Sequence, residues 1–180
     1  ADGSVDGGFQ GGADGDIITA AIQADGKIIV GGIFTSVSST NGTHLRTNIA
    51  RFNADGTVDT GWFPSVDGPV YSLAIEASGT LLVGGNFTTV NAATLFSHIC
   101  RLDLTNTGSV FGSFTPVFSA PITKVLSGDG GKILVGGTFA AVGTPPRSYL
   151  AQLQADGTSD PFFVPPVFNS SVETLARDAT

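Results

Sequence analysis

Hydrophobic residues recur along this chain in short runs with a regular rhythm. The stretch Val70-Tyr71-Ser72-Leu73-Ala74-Ile75 alternates larger and smaller side chains with period two, the pattern of a strand. Ser78-Gly79 follows as a two-residue hairpin signal, and Asp25-Gly26 and Gly130-Gly131 fill the same slot elsewhere. Behind each turn lies a continuous apolar run: Ile28-Ile29-Val30, Leu81-Leu82-Val83 and Ile133-Leu134-Val135. Such runs suit a strand covered on both faces. A third strand is predicted at Ile49-Ala50-Arg51-Phe52, matched by Ile99-Cys100-Arg101-Leu102 and Leu150-Ala151-Gln152-Leu153. Strict alternation puts Ile49 and Phe52 on opposite faces, so a twist or bulge is expected there. Asp55-Gly56 and Asp156-Gly157 then turn the chain into a short fourth strand, Thr57-Val58-Asp59 in the first unit. No stretch has a helical period of useful length.

The same columns return at a fixed interval. Gly31-Gly32, Gly84-Gly85 and Gly136-Gly137 stand 53 and 52 positions apart, each followed by Phe-x-x-Val (Phe34/Val37, Phe87/Val90, Phe139/Val142). A turn glycine with an aromatic six residues on occurs four times: Gly3/Phe9, Gly56/Trp62, Gly108/Phe114 and Gly157/Phe163. An apolar opener lies fourteen residues before each glycine pair, at Ile17, Val70 and Ile122, and Val172 opens a further unit. The chain therefore divides into repeats 15–67, 68–119 and 120–169, with partial repeats 1–14 and 170–180. Four short antiparallel strands in about 50 residues is the arithmetic of a β-propeller blade. The predicted fold is all-β: three full four-stranded blades of a larger ring. A β-sandwich is the alternative, but it does not require the same columns to recur.

Composition narrows the function. With 41% hydrophobic and 13% charged residues, the 180-residue chain can build a core and does not read as disordered. Eight Lys+Arg against 15 Asp+Glu, a net charge of -7, argues against a nucleic-acid surface. No run of about 18 apolar residues is present, so no membrane-spanning helix is expected. No signal peptide is visible, and the absence of an initiator Met suggests a piece of a longer chain. The lone Cys100 allows no internal disulfide.

The stretches Ile49-Ala50-Arg51-Phe52-Asn53-Ala54-Asp55-Gly56-Thr57-Val58-Asp59 and Leu81-Leu82-Val83-Gly84-Gly85-Asn86-Phe87-Thr88-Thr89-Val90 resemble the delta-60 repeat family of bacterial β-propeller repeats. The glycine pairs are similar, more weakly, to kelch repeats. The resemblance implies large secreted or surface-attached bacterial proteins and carries over no catalytic residues. The second unit departs at Asn106-Thr107-Gly108, where the others have Ala-Asp-Gly, and the third at Gln152, where the others have Arg.

Each candidate for chemistry has a plain structural reading. The glycine pairs have no helix behind them to cradle phosphate, so close strand packing is expected. Asn53–Asp59 has the alternating oxygens of a calcium loop. Its first and closing ligand positions are, however, Arg51 and Trp62, so the Asp-Gly turn explains it better. No cofactor is expected, with calcium the lesser alternative. His44 and His98 lack metal-ligand partners at local spacing, and no Gly-x-Ser-x-Gly motif occurs. Cys100 reads as a small core residue. Arg51 and Arg101 are expected to bond neighbouring-blade carbonyls and Asp side chains. The aromatic column Phe9, Trp62, Phe114, Phe163 is expected between blades. Asn41-Gly42-Thr43, Asn86-Phe87-Thr88 and Asn169-Ser170-Ser171 fit the glycosylation acceptor pattern.

Two functions follow. One is a non-catalytic extracellular module, a scaffold or binding surface in an adhesin or surface fibre. The other is a propeller hydrolase or lyase acting on glycans, for which Asp14, Asp16, Asp67 and Asp129 are the loop carboxylates that would have to converge. Expected partners are further blades of the same chain or another copy, and a protein or glycan ligand. Length variation concentrates in loops 38–48, 91–98 and 143–149. The candidate contact residues there are Asn41, His44, Arg46, Phe96, His98, Arg147 and Tyr149. Alanine substitution of His44, Arg46, Phe96 and Arg147 is expected to weaken adhesion or partner binding while leaving thermal stability nearly unchanged.

Overall fold

The computed structural model describes residues 4, 7–94, 96–105 and 107–177. Gly3 of the first turn signal and Asn106 of the divergent turn lie outside the described residues. Three antiparallel sheets follow one another as propeller blades, and in each the apolar run is the central strand. Blade 1 orders Asp16–Ile22, Ile28–Ile33 and Ile49–Phe52. Blade 2 uses Val70–Ile75, Thr80–Gly85 and Ile99–Asp103, and blade 3 uses Ile122–Ser127, Ile133–Gly137 and Leu150–Leu153. One 3₁₀ turn, Asp129–Gly131, replaces the first hairpin turn of blade 3, with Gly130 and Gly131 at φ of 65° and 75°.

Three expectations need correction. The fourth strand of each blade is a single bridge, Phe52 to Val58, Leu102 to Val110 and Leu153 to Ser159. Just beyond it, the Asp59 and Asp160 side chains take the N–H groups of Gly61 and Phe162, so the chain bends away from the ladder. The bulge lies in the first strand rather than the third. Ile49–Phe52 pairs in register and is buried throughout, whereas the register shifts between Ile17 and Thr19, Val70 and Ser72, and Ile122 and Lys124. The variable loops are hairpins of decreasing length. Ser36–Ser39 pairs with Gly42–Leu45, Thr89–Val90 with Ala93–Thr94, and in blade 3 only Val142 and Arg147 exchange backbone bonds.

The core sits between blades. Ile29, Ile49, Trp62 and Val66 of blade 1 pack with Val70, Leu73, Leu81 and Val83 of blade 2. Leu82, Ile99, Phe114 and Phe118 pack with Ile122, Val125, Ile133 and Val135. In front of blade 1, residues Phe9 and Ala13 pack against Val30, Phe52 and Val58.

The two glycines of each pair serve different contacts. A Cβ on Gly31, Gly84 or Gly136 would lie 2.5, 2.8 or 2.8 Å from a methyl of the next opener: Val70, Ile122 or Val172. A Cβ on Gly32, Gly85 or Gly137 would lie 1.9, 2.1 or 2.4 Å from the backbone oxygen of Asp16, Pro69 or Pro121. The first glycine is a notch for the next blade. The second lets the bulged strand press its carbonyl inward.

Candidate functional site

At the hairpin-turn end of the blades, each internal junction is crossed by a guanidinium. Arg51 donates through Nη1 to the Leu104 carbonyl of blade 2 at 2.6 Å, and Arg101 to the Ala155 carbonyl of blade 3 at 2.8 Å. Each guanidinium lies over its own blade's aromatic, 4.9 Å from the Trp62 ring centroid and 4.3 Å from that of Phe114. Trp62 itself donates Nε1–H to the Asp103 carbonyl of blade 2 at 2.9 Å. The bonds to neighbouring-blade carbonyls expected of Arg51 and Arg101 are present, and Phe9, Trp62 and Phe114 pack at blade junctions as expected, whereas Phe163 joins none of the core clusters and the acid paired with Arg101 is a glutamate.

The counter-charge moves from blade to blade. In blade 1, Asp59 accepts from Arg51 and Lys27, both at 3.0 Å. In blade 2 its column holds Phe111, and Arg101 instead pairs with Glu76 through two bonds of 2.6 and 2.8 Å. In blade 3, Gln152 takes the Arg column and Asp160 pairs with Lys132 at 2.7 Å. Burial alone would raise the Asp59 carboxyl. The Lys27 hydrogen bond, the Arg51 charge and the Gly61 N–H outweigh it and hold the group below the ordinary carboxylate range. Hollows of about 550 Å³ and 510 Å³ lie beside these two latches.

At the opposite end, Asp14 and Asp67 are internal clamps. Asp14 accepts the N–H groups of Thr35 and Ser36 and the Thr35 hydroxyl, and Asp67 accepts those of Thr88, Thr89 and the Thr88 hydroxyl. The Thr35 hydroxyl above all drives Asp14 well below the usual carboxylate range. For Asp67, burial is outweighed by the two backbone N–H groups and the hydroxyl, so its pKa is also low. The two carboxylates border one hollow of about 390 Å³ with Thr35, Thr47 and Asn48. The column signal was an acid three residues before the opener facing Thr after the motif Phe. Asp16 begins the first strand of blade 1 rather than lying in a loop, and Asp129 sits at the other end, paired with Arg177, so the four carboxylates do not converge.

The seven contact residues divide. Phe96 is only 5% exposed and belongs to the core, which removes it from the contact set. Arg46 and Arg147 turn inward. Arg46 donates to the carbonyls of Leu45 and Asp59, and its buried Nε has no partner; Arg147 donates to those of Phe163, Pro145 and Pro161. Asn41 braces the first hairpin against the outer segment, donating to Val58 O at 2.9 Å and accepting from Val58 N at 3.1 Å. His44 is half-buried, with Nε2 3.3 Å from the Asn41 carbonyl. His98 and Tyr149 occupy one left-handed column with Asn48, at φ of 68°, 67° and 62°. Asn48 bonds Phe34 N and Val66 O there, whereas His98 leaves a buried Nδ1 unpartnered. Burial lowers the His98 pKa against the opposing pull of Asp67. Tyr149 and Arg147 share a groove of about 300 Å³ with Pro146, Pro165 and Phe168. Asn41 and His44 thus belong to one hairpin, Arg147 and Tyr149 to another, and no single pocket collects them.

Among the described residues no group of three or more His, Cys, Asp or Glu side chains could hold a metal. Asp55 accepts Thr57 N–H and hydroxyl in a local turn. Cys100 is fully buried, and burial pushes its thiol pKa far up.

Radial succession of three-stranded sheets, glycine notches and inter-blade latches make the chain a β-propeller repeat domain. Residues 23–61 and 131–163 match a family described as a domain of unknown function (DUF5122) beta-propeller. Both stretches run from a first hairpin through the Ala-Asp-Gly-Thr turn and the acid of the outer segment, Asp59 or Asp160. No curated protein matches the chain.

Proposed function

We infer that this domain is a non-catalytic extracellular module of the delta-60 type, acting as a scaffold or binding surface in a bacterial secreted or cell-surface protein. The observation that carries the reading is the use of the polar groups. Asp14 and Asp67 each hold two backbone N–H groups and a hydroxyl, and Asp59, Glu76 and Asp160 hold cations within the molecule. Among the described residues neither histidine bonds a hydroxyl or thiol. Glycan hydrolysis needs one carboxyl kept protonated as the acid. Asp14 and Asp67, the pair that shares a hollow, are both held ionised instead.

The groove beside Tyr149 is the favoured contact surface, since its aromatic, proline and guanidinium edges suit a glycan or an extended peptide. The test measures immobilised protein against a panel of polysaccharides and matrix proteins, alongside reducing-end release from the same polysaccharides. Saturable binding weakened by Tyr149→Ala without sugar release is expected. Sustained sugar release that survives repurification and is lost in Asp67→Asn would overturn the reading.

A further inference from the structure

At the turn end, blades 1 and 3 share a lysine–acid pair that blade 2 has exchanged. Lys27 and Lys132 hold one column, directly before the central strand, and reach Asp59 and Asp160 at 3.0 and 2.7 Å. Both acids are buried. In blade 2 the lysine column holds Thr80 and the acid column holds Phe111. Thr80 donates to Glu76 Oε2 at 2.7 Å, and Ser78 Oγ lies 2.7 Å from its hydroxyl. Phe111 is 39% exposed, where its counterparts Asp59 and Asp160 are 9% and 1% exposed. The exchange removes an ion pair and sets a partly exposed ring beside two hydroxyls.

These groups line the hollow of about 510 Å³ at the internal junction of blades 2 and 3, and all of its walls come from those two blades. Its charges are spent within the molecule. Arg101 gives Nε–H and an Nη2–H to Glu76 and an Nη1–H to the Ala155 carbonyl. Asp129, on the far wall, is paired with Arg177. The hollow therefore offers a ligand no net charge. It offers the Phe111 ring, the Ser78 and Thr80 hydroxyls, and the N–H left over on each Arg101 Nη, since a guanidinium has five donors. The hollow of about 550 Å³ at the blade 1 latch differs: Lys27 lines it, and among the described residues no aromatic side chain does.

We propose that the hollow between blades 2 and 3 binds a neutral saccharide, one pyranose unit with its C–H face on Phe111 and its hydroxyls toward Ser78, Thr80 and the Arg101 guanidinium. A sugar joins an apolar face to a hydroxyl edge without charge, which is the combination these walls present. An anion would meet the carboxylates of Glu76 and Asp129, and a cation would have to displace Arg101 from Glu76. The volume is that of a small-molecule site. The site lies at the opposite end of the blades from the Tyr149 groove and does not rest on the contact surface assigned there.

Titration of the full chain, carrying ring-labelled phenylalanine, with methyl glycosides tests this by NMR. The panel is the methyl glucoside, galactoside, mannoside and N-acetylglucosaminide, with glucuronate and glucosamine as charged controls. At least one neutral glycoside should shift the Phe111 ring signal saturably at millimolar concentration. Phe111→Ala should raise the Kd of that sugar at least about fivefold, read from the sugar's own saturation-transfer signal. Thr80→Lys, which gives blade 2 the lysine of its neighbours, should weaken binding as much and should melt as the parent does, with Glu76 taking the ammonium in place of the hydroxyl. Tyr149→Ala should leave the affinity unchanged. The proposal is overturned if no neutral glycoside moves Phe111, if a charged control binds more tightly, or if the affinity is indifferent to both Phe111→Ala and Thr80→Lys. Binding lost in Tyr149→Ala alone also overturns it, because the sugar then sits in the groove at the other end. Failure of the Phe111 site on the other counts leaves the function proposed above standing.

Discussion

The two ends of the blades solve the problem of repetition differently. At the turn end, the bond that crosses each internal junction is the same: an arginine Nη1 to a carbonyl of the next blade, with the guanidinium lying on an aromatic ring. The acid that balances it moves freely, from Asp59 in the outer segment to Glu76 in the first hairpin. At the hairpin end the clamp is repeated by Asp14 and Asp67, with Ser119 Oγ taking the Ala140 N–H in blade 3. What lies beyond the clamp shrinks from a four-residue pair of strands to almost nothing. What a repeat must keep is the contact with its neighbour, and charge position and hairpin length are free within that limit.

The largest effects should come from the glycine pairs, where the comparison can be broken outright. Gly85→Ala sets a Cβ 2.1 Å from a backbone oxygen, and cooperative unfolding should be lost or fall by more than about 4 kcal/mol. Gly84→Ala meets only side-chain methyls and should cost about 1–3 kcal/mol by denaturant titration. Phe96→Ala should cost about 3–5 kcal/mol, as for any fully packed aromatic, although it lies in a variable hairpin.

Next in size are the latches. Arg51→Ala removes one of the two cations on a buried acid, together with the bond to the Leu104 carbonyl, and should cost about 3 kcal/mol. The movable acid gives a sharper test. Glu76→Gln should destabilise blade 2, and adding Phe111→Asp, which restores the blade 1 arrangement, should recover at least half the loss in a double-mutant cycle.

Acid should act through the same groups. Asp59 is held below its unfolded value, so its contribution is present above the unfolded pKa of about 3.9 and disappears as pH falls through the lower folded value. The unfolding midpoint should stay level from neutral pH down to about 4 and drop below it, less steeply in Asp59→Asn. The smallest effect is expected at the hairpin surface, where His44→Ala should shift stability by less than about 0.5 kcal/mol.

Repetition made the fold legible in the sequence. The glycine pairs, the openers Val70 and Ile122 and the aromatics Trp62 and Phe114 mark the two internal junctions and pack there. The position of the bulge is not legible, because a strand buried on both faces, like Ile49–Phe52, does not advertise its pairing by alternation. Phe96 leaves the contact set for a related reason. Length variation marks a loop as exposed, but the side chain that fills the space beneath the hairpin varies with it. His98 shows the limit: it stands in a column defined by a left-handed backbone, where Asn48 bonds two backbone groups and the His98 imidazole leaves Nδ1 without a partner.

The single-bridge outer segment has a consequence for how blades behave when crowded. A long outer strand would present a row of free N–H and C=O groups, a template for edge-to-edge aggregation. Here the row stops after one pair. The next N–H groups in blades 1 and 3 are turned onto Asp59 and Asp160, and Pro64, Pro116 and Pro161 cannot donate at all. Charged residues are only 13% of the chain, and the net charge of -7 is not concentrated on the rim strands. The rim itself therefore guards against cross-β growth, and lengthening it, for instance by Asp160→Val with Pro161→Thr, should seed thioflavin-positive fibrils under conditions where the parent chain forms none.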